Sequence, residues 1–298
     1  MSPTDLSGTV IAVFGPTASG KTAVAEALAD AIPAEIVSAD SMQVYEGLPI
    51  LTNQPERPTA LVAVWPLGHE GSVAEYQRLA HEAIDSAIER GRTPVVVGGT
   101  GLYLRAALAE LELPPAPPPG ARERWERLYD RVGPEQAHAA LAKRDPRAAE
   151  VVHPNDRRRV VRALELHEAG ASLAPPRDRL WSEETRHPTL IFGLDVPKAV
   201  LDERIRERTE AMFESGVEAE VEQALRNPIS RTAGQIIGLR EIAELPRPEA
   251  LDAIALATRR YAAYQRKWMR RTPSIHAISA ERAAVETAAE ILSAPRAH

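Results

Sequence analysis

Five short apolar runs punctuate the 298-residue chain, at residues 10–14, 35–38, 94–97, 189–195 and 274–278. Each has the length of a strand, and helical patterns fill most of the intervals between them. Strand alternating with helix predicts a parallel sheet with helices on both faces. The alternation fails once. Residues 113–120 are nearly all proline, and from there to about residue 187 helical patterns follow one another with no convincing strand. The expected organisation is therefore an α/β core built from residues 1–113 and 188–298, interrupted by an all-helical insertion at 114–187. Residues 114–119 would form a stiff connector at its entry, with Pro175-Pro176 near the return path. No internal repeat of useful length is present.

The first apolar run is followed directly by Gly15-Pro16-Thr17-Ala18-Ser19-Gly20-Lys21-Thr22 and then by an Ala-rich helical segment. Every fixed position of a phosphate-binding loop is filled, in the strand-loop-helix context that such a loop requires. Gly15 and Gly20 let the backbone curl so that its N–H groups point inward. The helix N-terminus adds partial positive charge and Lys21 a full one, which suits a di- or triphosphate. The Thr22 hydroxyl can meet a magnesium ion bridging the phosphates. The fold class is thus P-loop NTPase-like, but the loop does not say which phosphate compound it holds.

Composition narrows the field further. With 44% apolar residues the chain can bury a full core, and without cysteine it has neither disulfides nor a thiolate metal site. The eight histidines lack ligand spacing, and no apolar run approaches the roughly 20 residues of a membrane span. A charged leader followed by an apolar stretch is also missing at the N-terminus. A soluble, cytoplasmic protein without a membrane partner is expected, with a monomer as the default. The net charge of −6 hides local basic clusters: Arg157, Arg158, Arg159 and Arg162, and then Arg259, Arg260, Arg266, Lys267, Arg270 and Arg271, interleaved with Tyr261, Tyr264 and Trp268. A solvated helix face or a polyanion site would each explain such runs.

Ligands in open parallel sheets bind beyond the carboxyl ends of the strands, so residues just after each run carry the candidate chemistry. After the second run come Asp40, Ser41, Met42, Gln43, Val44 and Tyr45; after the third come Gly98-Gly99-Thr100-Gly101-Leu102-Tyr103. An ATPase of this type would end that third strand in aspartate to anchor magnesium. Two glycines and a threonine there weaken the ATPase reading and suggest something other than a nucleotide close to the backbone. Taken singly, Asp40 could be an Asx-turn or a helix cap, and Gly98-Gly99 a simple turn.

Together the segments GPTASGKT at 15–22, SADSMQVY at 38–45, GGTGLY at 98–103 and HPNDRRRVVRALE at 153–165 resemble those of the tRNA dimethylallyltransferases. The likeness continues through 204–221, GQIIGLRE at 234–241 and ATRRYAAYQRKWMRR at 257–271, in the same order over nearly the whole chain. The resemblance implies that the loop, with Lys21, Arg208 and Mg2+, holds dimethylallyl diphosphate rather than ATP. It implies that Asp40 is the carboxylate that takes a proton from the exocyclic amine of the adenine 3′ to the anticodon, and that Thr100 orients that amine. The adenine would be extruded into a channel between core and insertion. By the same carry-over, tRNA would be contacted by Asp40, Ser41, Met42, Gln43, Thr100, Arg122, Arg158, Arg159 and Arg162. Gln235, Gly238, Arg240, Gln265, Trp268 and Arg270 would add further contacts.

Two segments depart from the family pattern. After Tyr45 the usual Gly-Thr-Ala-Lys-Pro is Leu51-Thr52-Asn53-Gln54-Pro55 here, with a shortened link to Ser72, and the usual Lys-Arg-Gln is Ala263-Tyr264-Gln265. Three rival classes remain at this point. One is a small-molecule kinase recruiting Asp195 for magnesium; another is a nucleotide-dependent switch. The third is an enzyme that prenylates free adenine nucleotides, which would not need the arginines of the insertion.

Overall fold

The computed structural model describes residues 6–114, 118, 120–174 and 179–294. Most of the expected proline connector, together with Pro175-Pro176, lies outside them. Five strands, β1 (Val10–Phe14), β2 (Ala34–Ser38), β3 (Thr93–Gly98), β4 (Thr189–Asp195) and β5 (Ile275–Ser279), form one all-parallel sheet in the order β2-β3-β1-β4-β5. All five residues of the central strand β1 are buried, which is why it reads as an uninterrupted apolar run rather than an alternating one. Pro94 is tolerated because β3 pairs there with β2 alone; its pairing with β1 begins one residue later, at Val95.

The helices among the described residues are α1 (Lys21–Ala31), α2 (Pro49–Thr52), α3 (Val73–Glu89), α4 (Gly101–Leu108), α5 (Ala121–Val132), α6 (Pro134–Arg144) and α7 (Pro146–Val151). They continue as α8 (Arg157–Glu168), α9 (Lys198–Glu214), α10 (Val217–Ala224), α11 (Leu239–Glu244), α12 (Arg247–Arg271) and α13 (Ala284–Ser293). On one face of the sheet Val24, Leu28, Ala288 and Ile291 of α1 and α13 pack on Ile11, Val13, Val95 and Phe192. The other face is covered by α3 and α4. Burying such a side chain contributes about 1.5–3 kcal/mol, so the sheet is held from both sides.

Two compact units result, Met1–Glu110 with Glu183–His298, and Leu111–Ser182. The second is helical, with its own core of Tyr129, Ala137, Leu141, Val160, Val161 and Leu164. Its helices begin at side-chain caps where the sequence supplies an aspartate. Asp145 accepts from Ala148 N at 3.0 Å and Asp156 from Arg159 N at 3.1 Å.

Candidate active site

The phosphate loop leaves β1 and turns into α1 through two residues with left-handed backbone, Ala18 (φ 63°) and Gly20 (φ 87°). Gly15 is needed for a different reason. A Cβ there would come within 2.7 Å of Ser19 Oγ and 3.2 Å of Leu194 Cβ, so the loop can cross the end of β4 only without a side chain. Thr17 is clamped from two helices: its N–H donates to Gln265 Oε1 of α12 at 2.7 Å, and its hydroxyl accepts from Arg208 Nη1 of α9 at 3.0 Å. Lys21 Nζ donates to Pro16 O at 2.7 Å.

This cluster is electrostatically incomplete. Loss of hydration brings the Lys21 ammonium down to about pKa 8, opposed by Asp40 and reinforced by Arg208. Burial likewise works against the charge on Arg208, with Asp40 working for it. Ser19 Oγ and Arg208 Nε are buried and lack a partner among the described residues. Two desolvated cations and two unpaired donors around one loop are the complement of an anion.

A cavity of about 890 Å³ opens over the loop. Thr17, Ala18, Ser19, Gly20, Lys21, Thr22 and Arg208 form its polar floor. Asp40, Met42, Gln43, Gln235, Tyr261 and Gln265 line it as well, and Leu51, Met212, Ile236 and Ile254 give it an apolar wall. Asp40 does make the Asx-turn that the sequence allows, accepting from Met42 N at 2.9 Å through Oδ1. Gln43 has its amide committed to the protein, donating to Asn53 O at 2.7 Å and accepting from Ser38 Oγ at 3.0 Å. Thr100 Oγ1 lies 2.9 Å from the Tyr261 hydroxyl and 3.3 Å from Ser41 Oγ. Burial, and then Asp40, push the Tyr261 phenol up to about 12, so it stays protonated at neutral pH.

Several expectations change here. The glycines after β3 are explained by protein rather than by ligand. A Cβ on Gly98 would meet Ala39 O at 2.1 Å, one on Gly99 would meet Gln265 Nε2 at 2.2 Å, and one on Gly101 the Trp268 ring at 2.3 Å. Gln265, expected to face RNA, is buried with 2% exposure and turned to the phosphate loop. Trp268 is half-buried against Gly101. Gly238 is buried with φ 100°, where a Cβ would strike Leu51 at 2.6 Å. Gln235, Arg240 and Arg270 are exposed, Arg240 being ion-paired to Glu244.

In the helical unit, Arg122 and Arg162 flank the fully buried Glu165, at 3.7 Å and 3.3 Å. Arg158 and Arg159 are exposed in the first turn of α8, without an ion-pair partner among the described residues, whereas Arg157 is paired to Asp130 at 2.7 Å. Asp195 is engaged by Arg266 Nη2 at 3.4 Å and does not line the phosphate cavity. Two site residues were not expected from the sequence: Tyr261, and Glu220, which accepts from Ile50 N and Leu51 N at 2.8 Å each and so pins α2 beside the cavity. Tyr261 had a signal, being one helical turn from Gln265 on the face of α12 that also carries Ile254 and Thr258. Glu220 had none, because its partners are backbone groups some 170 residues away.

Residues 43–272 match the IPP transferase family, and residues 8–59 match isopentenyl transferase. The chain belongs to the IPP transferase family. The tRNA dimethylallyltransferase of Thermobifida fusca is 42% identical over 287 residues, covering 90% of this chain and 89% of that one. Its counterpart in Salinispora arenicola is 41% identical over 281 residues, covering 90% and 81%. Among solved structures, this IPP transferase family member is similar to the tRNA isopentenylpyrophosphate transferase of Bacillus halodurans, with TM-score 0.69 and 31% identity over 96% of this chain and 95% of that one. It is also similar to a eukaryotic dimethylallyltransferase acting on tRNA, with TM-score 0.74 and 26% identity over 92% and 74% of the two chains.

The transmembrane question has a bounded answer: no helix among the described residues is long and apolar enough to cross a membrane. Nor does any group of three metal-binding side chains occur among them.

Proposed function

We propose that this protein is a tRNA dimethylallyltransferase, moving the dimethylallyl group from its diphosphate to the exocyclic amine of the adenine 3′ to the anticodon. The observation that carries the reading is one cavity lined by an anion-hungry phosphate loop, by the Asp40 carboxylate, whose charge acts on Lys21 and Arg208, and by the apolar side chains of Leu51, Met212, Ile236 and Ile254. The aspartate that the kinase reading would recruit, Asp195, lies outside the cavity lining and is engaged by Arg266. The likeness to tRNA-acting relatives over 90% of the chain favours tRNA over free AMP as acceptor.

In this reading the loop amides, Lys21, Arg208 and Ser19 hold the diphosphate, and Leu51, Met212, Ile236 and Ile254 enclose the five-carbon group. The amine nitrogen forms a bond to the allylic carbon as the carbon–oxygen bond to the diphosphate breaks. The electron pair leaves with the diphosphate, where Lys21 and Arg208 neutralise the charge. Asp40 accepts the proton the amine sheds, and the Thr100 hydroxyl, anchored by Tyr261, holds the amine in line. The residues present fit Mg2+ in a supporting role. Thr22 offers one hydroxyl at the cavity floor, and the remaining ligands would be diphosphate oxygens and water, the partial dehydration that Mg2+ prefers. Bound there, it would further neutralise the departing charge. Arg158 and Arg159 would contact RNA phosphates from the helical unit.

The test is a transfer assay with labelled dimethylallyl diphosphate and Mg2+, offering unmodified tRNA, AMP, or ATP with small acceptors. Label on tRNA and none on AMP is the expected result; ATP turnover without prenyl transfer contradicts it. Replacing Asp40→Ala should lower kcat by about 10²-fold or more while the Kd for tRNA stays near wild type. Weakened binding with kcat preserved would remove Asp40 from the role assigned.

A further inference from the structure

One polar arrangement at the cavity is used only in part by the reaction described above, which gives Gln265 no role. Gln265 lies on α12, 248 residues from Thr17 in sequence, yet its Oε1 accepts the Thr17 N–H at 2.7 Å. It is 2% exposed, and Gly99 lacks a side chain where a Cβ would sit 2.2 Å from Gln265 Nε2. One turn earlier on the same helix, the Tyr261 hydroxyl lies 2.9 Å from Thr100 Oγ1, with Ser41 and Gln265 also within hydrogen-bonding range. The four groups form a continuous hydrogen-bonded line running from the phosphate loop, through α12, to the threonine after β3.

We infer that Gln265 and Tyr261 are positioning residues: Gln265 fixes the phosphate loop, Tyr261 fixes the Thr100 hydroxyl, and α12 sets the distance between donor and acceptor sites. The physical case rests on the loop. Loop backbone with a non-glycine residue, Ala18, in the left-handed region is held only where its surroundings determine it. A part-buried N–H at Thr17 that lost its acceptor would destabilise that conformation. Gln265 supplies that acceptor, and the Thr17 hydroxyl is taken up by Arg208, so the loop is fixed from both flanks before any anion arrives. A reacting carbon and nitrogen must meet at near-contact distance, and a small misplacement of either site is costly in rate. Two side chains on successive turns of one long helix provide a rigid spacer for that purpose. The inference rests on the proposed function for the identity of the acceptor, but the statement about Gln265 and the loop does not.

The experiment uses the full chain with Gln265→Met, which keeps volume but loses the strong acceptor, and Tyr261→Phe, which loses only the hydroxyl. Inorganic pyrophosphate binding is measured by calorimetry on the free protein, and steady-state transfer to tRNA is normalised to the pyrophosphate-binding sites. Gln265→Met should weaken pyrophosphate binding and raise the KM for dimethylallyl diphosphate by about tenfold, while the Kd for tRNA and its salt dependence stay at wild type. Tyr261→Phe should lower kcat by about tenfold with the donor KM unchanged. A merely misfolded fraction lowers the number of binding sites and moves neither constant. The inference is overturned if Gln265→Met weakens tRNA binding and leaves pyrophosphate affinity intact, which would make it an RNA contact. It is overturned equally if both variants keep wild-type constants. Should wild-type protein fail to prenylate tRNA, the functional reading falls, and the pyrophosphate measurement still judges Gln265.

Discussion

Lys21 is where burial and function pull in opposite directions. Its pKa is brought down from 10.5 to about 8 by desolvation, so charge on this side chain costs the free protein stability. Its contribution to stability is full above the unfolded-state value and is lost as pH falls through about 8. A bound diphosphate reverses the balance by favouring the ammonium, so binding near pH 8 should draw a proton from solvent. Calorimetry of pyrophosphate binding in buffers of different ionisation enthalpy should therefore show proton uptake at pH 8. Affinity should decline above that pH, by up to about tenfold per unit. A pH-independent affinity from 7 to 9.5 without proton uptake would contradict the assignment of Lys21 to the anion. At this scale Lys21 and Asp40 were legible because strand, loop and carboxylate follow one another in sequence. Gln265 was assigned to RNA by the resemblance, and only the fold shows that it turns inward, together with Tyr261, to the phosphate cavity.

Among the elements, α8 is built against its own dipole. Its first turn carries arginines and no acidic residue, at the end where the helix already presents positive charge. Asp156 caps the turn and Asp130 satisfies Arg157, which leaves Arg158 and Arg159 exposed and without an ion-pair partner among the described residues at the helix N-terminus. An RNA phosphate would relieve that arrangement. Replacing both by alanine should weaken tRNA binding and reduce the slope of log K against log salt by about 1–2, with kcat at saturating tRNA preserved. An unchanged slope in a titration from low to high salt would remove them from the interface. The inner strands were legible because a sheet covered on both faces demands continuous apolar runs, as β1 and β3 show. β2 and β3 extend one residue beyond the expected runs, and β5 starts at Ile275 rather than Ser274 because Ser274 takes a left-handed φ of 52° that ends the preceding turn. The short α2 was not legible: four residues carry no period, and what holds it is Glu220 on α10.

For the molecule as a whole, the net charge of −6 says little about partners, because charge is sorted by element rather than averaged over the surface. The break in strand–helix alternation marked a helical unit, and the carboxyl ends of β1 and β2 bring residues 17–22, Asp40, Met42 and Gln43 into the cavity lining, while Thr100 after β3 meets Ser41 and Tyr261. What the sequence could not display was the closure of that site by α9 and α12, whose contributions reach the loop across nearly 200 residues or more. The measurement that bears most directly on this account is a crystal structure with a non-reactive thio analogue of dimethylallyl diphosphate. The diphosphate should lie on the loop within hydrogen-bonding distance of Lys21, Ser19 and Arg208, its prenyl group against Met212 and Ile254. An analogue bound elsewhere, with ATP occupying the loop in its place, would contradict it.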